Sequence, residues 1–525
     1  MVTSRVLAVI VTVASIGVQP ARSQPAAGSD TPPAAPQLDD EEAAASGSGA
    51  NLVAPADPKA RLVWLQTKLG AAISSHPQLG KARLGIYAID LATGQDLFTH
   101  DADAGLEIAS NTKLLTSIAA LGTLGGGFRW RTAVYADDID DATGKVKGNL
   151  YLRGRGDPTL SVGDLKQLAA DVAARGIRSI DGDLVVDATY FDADTEPPHF
   201  GEQPKEQAGF RAPVASLGVG KSAFTVTVMP EPGANGFALL DPDVPDYIKL
   251  GKVEVKTVTD KRTRVKIDVK PKGGKLEVEV TGQIKVATGS YDVRKRVDDP
   301  IKLATSVFRE ALAAREIKLA KRGFSLGAIP PAAKLVAAHD SAPLSLVIRD
   351  MNKQSDNYVA ESVLKTLGAE TRATPGPATW VDGKAAVAAF VGKLGMPPGS
   401  YRADNGSGLY SASEVSARQL VVLLRAAYRD FRIGPDLVAS LPVGGVDGTL
   451  AHRWSKSAAK GRVRAKTGTL DKVVSIAGYL GVEGAHQLAF AIVANEIPQG
   501  QRAAARALAD DMVDALLAYV DAAQR

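Results

Sequence analysis

Three short polar motifs stand in a fixed order along this chain and limit what it can fold into. They are Ser110-Asn111-Thr112-Lys113, Ser355-Asp356-Asn357 and Lys466-Thr467-Gly468-Thr469. Together they describe a serine acyl-transfer site that uses lysine as its base. For the motifs to meet, the domain-sized stretch between Lys113 and Ser355 must leave the common site and return to it.

The pattern S-x-x-K is weak evidence by itself, because the chain repeats it from Ser362 to Lys365 and from Ser457 to Lys460. Only Ser110 has the other two motifs downstream at the distance of a domain. We therefore interpret Ser110 as the nucleophile, Ser362 as a mid-helix serine and Ser457 as a loop residue.

The first two motifs supply residue types that acyl transfer needs. Ser110 sits at the predicted start of a largely buried helix, and Lys113 projects from nearly the same face. Lys113 can act as the base if burial and a nearby cation, Lys466, lower its pKa. Ser355 and Asn357 would point the same way from an extended or loop segment. Serine there can relay a proton to the leaving amine, and asparagine can bind the substrate amide and hold Lys113.

The third motif suits substrate binding. Lys466 and Thr467 suit a substrate carboxylate, and Gly468 lets a ligand backbone approach closely. The backbone N–H of Thr469, together with the helix start at Ser110, can bind a developing oxyanion. Chance can supply any one of these tripeptides, but it seldom supplies all three in this order.

Composition excludes several other classes of protein. A chain of 525 residues with 45% hydrophobic and 23% charged residues is long enough for two or three ordinary globular domains. The net charge of +4 makes no case for nucleic-acid binding. The absence of cysteine removes disulfides and thiolate chemistry, and the 6 histidines show no metal spacing, so we predict neither metal nor cofactor. Gly218 to Ser222 suggests a phosphate loop, but Ala215 stands where that motif needs glycine.

The N-terminus is typical of an exported protein. Residues 1–23 predict a signal peptide, with Arg5 before an apolar run and small residues in Ala21-Arg22-Ser23. The alternative is an uncleaved membrane anchor. Residues 24–56, rich in Pro, Ala, Gly and Ser, predict a disordered tether. We expect a periplasmic or cell-wall-facing protein that is soluble and has no membrane span after cleavage.

Periodicity predicts the elements around the motifs. Asp57-Pro58 is a helix start, residues 84–98 form a hairpin, residues 342–367 are helical, and a helix from about 501 to 520 closes the chain. Residues 473–482 and 488–494 predict two adjacent strands with a turn at Glu483-Gly484.

Residues 128–330 differ in character. A hairpin turns at Thr143-Gly144, and apolar residues two apart between 253 and 280 predict a small antiparallel unit with a turn at Lys272 to Lys275. Residues 249–296 carry a net charge of +8, which we interpret as a solvated strand face in preference to a polyanion site.

With these motifs the chain resembles the low-molecular-mass class C penicillin-binding proteins, the D-alanyl-D-alanine carboxypeptidase/endopeptidase family. The resemblance also rests on 156–160, 405–409, 441–450 and 464–470, and runs from about Pro58 to the C-terminus. It implies an α/β (α+β) multi-domain fold. A transpeptidase-like domain, an antiparallel sheet flanked by helices, would comprise 57–127 and 331–525. An inserted α/β domain, 128–330, would carry a nested β domain at about 225–296.

The resemblance also implies a serine-type D-alanyl-D-alanine carboxypeptidase with a Ser110 acyl-enzyme, and possible endopeptidase activity on peptidoglycan cross-links. Its partners would be stem peptides ending in D-Ala-D-Ala, with β-lactams as covalent inhibitors. The alternatives are a serine β-lactamase-like hydrolase and an inactive wall-binding protein. Arg155 and Tyr410-Ser411 depart from the family pattern and leave the peptide side-chain preference open.

Overall fold

The structure, a computed structural model, describes residues 52–321, 323–481 and 487–524. The predicted signal peptide, residues 24–51 of the predicted tether and the predicted turn at Glu483-Gly484 lie outside these residues. The α-helices in the described ranges are α1 Pro58–Ser74, α2 Thr112–Leu124, α3 Val162–Ala174, α4 Pro300–Ala314, α5 Leu344–Gln354, α6 Asn357–Thr371, α7 Trp380–Gly392, α8 Ala417–Arg429, α9 Gly434–Ser440 and α10 Arg502–Ala522.

The strands in the same ranges are β1 Arg83–Asp90, β2 Asp96–His100, β3 Arg131–Asp140, β4 Lys145–Arg153, β5 Ser179–Ile180, β6 Leu184–Asp187, β7 Ala223–Met229, β8 Asn235–Leu240, β9 Ile248–Val258, β10 Arg264–Lys272, β11 Lys275–Lys285, β12 Tyr291–Arg296, β13 Lys318–Leu319, β14 Ser325–Leu326, β15 Lys334–Asp340, β16 Arg402–Ala403, β17 Ser413–Glu414, β18 Val463–Leu470, β19 Val473–Gly481 and β20 Gln487–Asn495. Within the part of the chain that the structure describes, none of the helices combines the length and apolar character that a bilayer crossing requires.

A five-stranded antiparallel sheet joins the two ends of the described chain in the order β18-β19-β20-β1-β2. Helices α1 and α10 lie on one side, where Leu65 and Leu69 are fully buried, and α8 packs on β1 and β20. The start of α1 is as predicted, because Asp57 caps it through the N–H of Ala60 at 2.8 Å. Strand β1 is buried from Leu84 to Asp90, because elements cover both of its faces.

A helical layer carries the first motif. Helix α2 is buried from Thr112 to Leu121, and Leu114, Ile118 and Leu121 join a core shared with α5, α6, α7, α8 and α9. A helix surrounded in this way cannot move without opening the core, so it is a rigid base for a reactive side chain.

Between the first and second motifs the chain builds two further sheets. The first runs in the order β13-β5-β4-β3-β15, with β6 beside β4 and β14. The β3–β4 hairpin turns at Thr143-Gly144 as the sequence predicts, and Gly144 has φ +69°, which favours glycine. Helices α3 and α4 pack on each other beside this sheet and bury Leu165, Leu168 and Phe308.

The second sheet of this region has six strands in the order β10-β11-β9-β8-β7-β12. The predicted alternation is confirmed, since Ile267, Val269, Val278 and Val280 are buried. The predicted all-antiparallel pairing is wrong, because β9 and β11 are parallel and the sheet is mixed. Residues 259–263 carry the chain past the place of β11, so β10 lies outside β11 instead of beside β9.

The structure adds a strand that periodicity missed. The third motif lies within β18, which pairs with β19, whereas the sequence predicts only two strands near the C-terminus. Polar residues such as Arg464, Lys466 and Thr467 hide the strand pattern, although Lys466 is fully buried. The predicted fold class, a multi-domain α/β protein with an antiparallel sheet flanked by helices and inserted β structure, is confirmed.

Candidate active site

Ser110 lies in a short 3₁₀ turn, Ala109–Asn111, that leads directly into α2. The side chain of Asn111 donates to Ser475 Oγ on β19 at 2.8 Å, and Ser475 Oγ donates to the Ile108 carbonyl at 2.7 Å. Ala109 adopts φ +48°, an uncommon conformation for a residue with a side chain. The serine is therefore held at the helix start between α2 and the five-stranded sheet.

Lys113 is fully buried, and its Nζ contacts three oxygen atoms. It donates to Ser110 Oγ at 3.0 Å, to Asn357 Oδ1 at 2.7 Å and to the Ser407 carbonyl at 2.8 Å. All three acceptors are neutral. Uncharged oxygens compensate a buried ammonium less well than a carboxylate does, so the neutral amine is accessible near neutral pH.

Burial lowers the pKa of Lys113 to about 7, while the carboxylates of Glu361 and Asp356 act in the opposite direction. Desolvation is the largest cause of this lowering, and the further contribution of Lys466 that the sequence predicts stays a prediction. Lys466 Nζ donates to Ser355 Oγ and to its neighbour's carbonyl, Thr467 O, both at 2.8 Å. Lys466 therefore contacts the second motif directly.

The second motif occupies the break between α5 and α6, where Ser355 and Asp356 form a two-residue loop and Asn357 already begins α6. Ser355 ends α5 in the left-handed conformation, φ +56°, and Asp356 caps α6 through the N–H of Val359 at 3.1 Å. Asn357, the first residue of α6, accepts from Lys113 and donates to the Phe210 carbonyl at 3.2 Å. The cap at this break fixes the side chain of Asn357 toward Lys113 and that of Ser355 toward Lys466.

The third motif lies on β18, at the edge of the five-stranded sheet. A Cβ on Gly468 would lie 2.4 Å from Ser475 Oγ, 2.6 Å from Ile108 O and 3.0 Å from Ser110 N, so only glycine fits. The hydroxyls of Thr467 and Thr449 share a hydrogen bond of 2.9 Å. Thr469 follows on the same strand, so the whole motif passes directly beside the start of α2.

The structure thus brings the motif residues together as two hydrogen-bonded groups, Ser110–Lys113–Asn357 and Ser355–Lys466, with Thr467, Gly468 and Thr469 on the same strand as Lys466. The other two S-x-x-K serines are elsewhere, as predicted. Ser362 lies inside α6 and donates to the Tyr358 carbonyl at 2.9 Å, and Ser457 lies in a turn.

Sequence reasoning missed several residues of this region. Glu361 on α6 is buried and accepts from the N–H groups of Gly406 and Ser407. Lys221, in the segment set aside as a false phosphate loop, pairs with Asp356 at 2.6 Å. The available signals were the N-G-S-G sequence at 405–408 and the acid four residues after Asn357, but neither indicates a partner without the fold.

Three comparisons with known proteins bear on this site. Residues 65–518 match the model of the D-Ala-D-Ala carboxypeptidase 3 (S13) family. The chain is 35% identical over 451 residues to a D-alanyl-D-alanine carboxypeptidase of Actinomadura sp. (strain R39), covering 83% of this chain and 82% of that one. It is 25% identical over 417 residues to D-alanyl-D-alanine carboxypeptidase DacB of Haemophilus influenzae, covering 78% and 84% of the two chains. The fold matches the crystal structure of penicillin-binding protein 4 from Haemophilus influenzae with a TM-score of 0.70 at 22% identity, over 85% of this chain and 97% of that one.

Proposed function

Because the chain belongs to the D-Ala-D-Ala carboxypeptidase 3 (S13) family and is a serine-type D-alanyl-D-alanine carboxypeptidase, we propose that its acyl-enzyme forms on Ser110 with Lys113 as the base. One observation carries this assignment. The buried Nζ of Lys113 lies 3.0 Å from Ser110 Oγ and contacts two further acceptors, both neutral.

The number of acceptors sets the direction of proton transfer. A charged lysine has three N–H donors, one for each of Ser110 Oγ, Asn357 Oδ1 and the Ser407 carbonyl. The neutral amine has only two N–H donors and one lone pair. Asn357 and Ser407 can only accept at these atoms, so they take the two N–H groups and the lone pair points at the Ser110 hydroxyl, which can donate.

In the acylation step the Ser110 proton passes to Lys113 Nζ while Oγ attacks the carbonyl carbon of the terminal D-Ala-D-Ala bond. The carbonyl oxygen becomes an oxyanion, which the backbone N–H groups of Ser110 and Thr469 stabilise. The close packing of Gly468 against the start of α2 supports this pairing of donors. Collapse of the intermediate breaks the C–N bond and leaves the acyl-enzyme.

Ser355 and Lys466 act on the leaving side. Ser355 gives its proton to the departing D-alanine nitrogen, and Lys466 then gives a proton to Ser355. The 2.8 Å contact between Lys466 Nζ and Ser355 Oγ supports this route. Lys466 and Thr467 also suit the terminal carboxylate of the substrate. Water then attacks the acyl carbonyl and gives its proton through Ser355 back to Lys466, while Ser110 Oγ leaves and takes back the proton held by Lys113, which restores the free enzyme.

The substrate class follows from an open strand edge beside the nucleophile. Among the described residues, strand β18 pairs with β19 on one side and has a single bridge, between Arg464 and Val443, on the other. An extended stem peptide ending in D-Ala-D-Ala can therefore add along that second side. β-Lactams, which carry a reactive amide and a carboxylate, would acylate the same serine. Endopeptidase action on peptidoglycan cross-links requires only a longer leaving group.

The division of the chain belongs to the same proposal. Residues 57–127 and 331–525 carry all eight motif residues assigned to the site and form the catalytic domain, while 128–330 is an inserted domain with a nested β domain at about 225–296. The signal-like residues 1–23 and the tether at 24–56 support export to a periplasmic or cell-wall-facing compartment.

The deciding experiment combines a synthetic stem pentapeptide with a fluorescent penicillin. We expect release of D-alanine from the peptide and a long-lived penicillin adduct. Rapid turnover of penicillin would instead favour a β-lactamase, and the absence of both label and D-alanine release would favour an inactive wall-binding protein.

A further inference from the structure

Glu361 is a fully buried carboxylate that the proposed mechanism does not use. It lies one turn after Asn357 on α6 and is 3% exposed. Its two oxygens accept from the backbone N–H groups of Gly406 and Ser407, each at 2.9 Å. A buried carboxylate is costly unless its oxygens are bonded, so these two contacts account for its presence there.

The segment that Glu361 holds, Asn405 to Gly408, touches the base itself. The Ser407 carbonyl accepts from Lys113 Nζ at 2.8 Å. On the other side the Gly406 carbonyl accepts from Thr116 on α2 at 2.8 Å. The segment therefore bridges α6 and α2, and the position of the Ser407 carbonyl depends on its two backbone N–H groups being fixed to Glu361.

We propose that Glu361 is a positioning residue for acyl transfer, whose carboxylate clamps the Asn405 to Gly408 segment and thereby presents the Ser407 carbonyl to Lys113. This rests on the proposed function, because the carbonyl matters only if Lys113 is the base. With that carbonyl in place, the lone pair of the neutral amine points at Ser110. Without it, one N–H of Lys113 loses its acceptor and the amine can rotate away from the serine.

Several charged and titratable groups surround Lys113 and set the direction of the electrostatic effect. On α6 and its cap, Glu361 and Asp356 both act to raise the pKa of Lys113, and burial opposes them. Lys221 and Arg294, from the inserted region, act on Asp356 and hold its pKa low, which keeps it charged. On β18, Lys466 donates to Ser355 Oγ at 2.8 Å.

The carboxyl group of Glu361 has neighbours of its own. Burial raises its pKa, with the bonds from Gly406 and Ser407 and the charge of Lys113 in opposition. Tyr410, after the clamped segment, has its pKa raised by burial first and to a lesser extent by Glu361. Loss of the Glu361 carboxylate removes a negative charge, which lowers the pKa of Lys113. It also leaves the Ser407 carbonyl less ordered as an acceptor for the charged amine, which lowers that pKa as well.

The test is the pH dependence of penicillin acylation in Glu361→Gln. Glutamine can accept from one backbone N–H, but its own NH₂ group faces the other, so the clamp is broken on one side. We expect the acylation rate at pH 8 to fall about tenfold to a hundredfold, since small misplacements of a base carry such effects. We also expect the pH midpoint of acylation to move to a lower value.

The matched control is Ser362→Ala, the adjacent buried residue on α6, whose hydroxyl bonds only within its own helix. It should keep the wild-type rate and midpoint. If Glu361→Gln does not fold, Glu361→Asp replaces it, because it keeps the carboxylate on a shorter arm. That variant should acylate more slowly with a midpoint near that of the wild type.

Two results overturn the inference. One is an unchanged rate in a folded Glu361→Gln variant, and the other is a reduced rate with an unmoved midpoint, as a purely structural role gives. Failure of the proposed function is seen separately, in the wild-type protein, as a penicillin label that does not map to Ser110. A label on Ser110 together with either overturning result would reject the role of Glu361 alone.

Discussion

Two regions of this protein carry the same four-residue pattern with a fully buried lysine at its end. One is Ser110 to Lys113 at the start of α2, and the other is Ser362 to Lys365 in the middle of α6. Both lysine side chains are 0% exposed. Spacing and burial are therefore the same in both places, and we propose a reactive centre only at the first.

The first difference lies in what each lysine contacts. Lys365 Nζ pairs with the Asp192 carboxylate at 2.5 Å, donates to the Asp194 carbonyl at 2.8 Å and lies over the ring of Trp380. Burial lowers the pKa of Lys365, but Asp192 opposes that shift. Lys113 has only neutral oxygens in direct contact. We therefore propose the base at Lys113, whose hydrogen-bond acceptors are neutral oxygens, and a structural cation at Lys365, which bonds to Asp192.

The second difference lies in the serine. Ser362 is inside a continuous helix, and its hydroxyl donates back to the Tyr358 carbonyl four residues earlier. Ser110 precedes its helix, in a 3₁₀ turn, and its hydroxyl faces Lys113. A serine at the start of a helix keeps its hydroxyl free of the preceding turn, and that freedom makes proton transfer to the lysine possible.

The largest expected effect separates the two serines. Ser110→Ala should abolish the penicillin adduct, because it removes the hydroxyl that Lys113 Nζ contacts. Ser362→Ala should form the adduct at the wild-type rate. Peptide mapping of the wild-type adduct by mass spectrometry provides the check, and a label on Ser362 or Ser457 would contradict the comparison.

The next effect separates the two lysines. Lys113→Arg keeps the positive charge but cannot lose its proton near neutral pH, so acylation should fall by orders of magnitude while the fold survives. Lys365→Arg keeps a cation for Asp192 and should acylate normally. Stopped-flow acylation, with circular dichroism to confirm folding, measures both. Near-normal acylation by Lys113→Arg would exclude lysine as the base.

A smaller effect is the pH dependence of the wild-type protein. The base works only as the neutral amine, and the pKa of Lys113 is about 7. Acylation should therefore rise with pH through about 7 and level off above it, and fall about tenfold per unit below it. A rate that is constant between pH 5 and pH 8 would show that Lys113 does not titrate in this range.

Sequence alone gives much of the site because its chemistry is local. The helix start after Ser110 follows from residue type and short spacing. The pairing of Lys113 with Asn357, which are 244 residues apart, follows from the expectation that the three motifs meet at one site. The conformation of Ser355 could not be predicted in this way, because a single residue with a left-handed backbone between two helices leaves no periodic signal in the sequence. The same holds for β18, whose polar residues are buried by neighbours far away in the chain.

The remaining features depend on contacts across long separations. Glu361 acts through backbone N–H groups, which have no sequence signature, and Lys221 reaches Asp356 from the inserted region. The parallel pairing of β9 with β11 depends on the path of residues 259–263, not on the alternation that identified both strands. Alternation fixes which face is buried, but it leaves strand order and direction open.

The last prediction concerns Lys365, whose replacement should leave the acylation rate unchanged. Lys365→Met removes the cation but fills similar volume, leaving Asp192 without its partner. Since the Asp192 side chain is 28% exposed, water compensates part of this loss. We expect the free energy of unfolding to fall by about 2 to 3 kcal/mol, somewhat below the value for a completely buried pair, with the acylation rate unchanged.

Urea unfolding of Lys365→Met, Asp192→Asn and the double variant measures the coupling between the two residues. A large loss of acylation in a folded Lys365→Met protein would mean that the second lysine also serves the chemistry, and the distinction between carboxylate-bound and neutral-bound lysines would not hold.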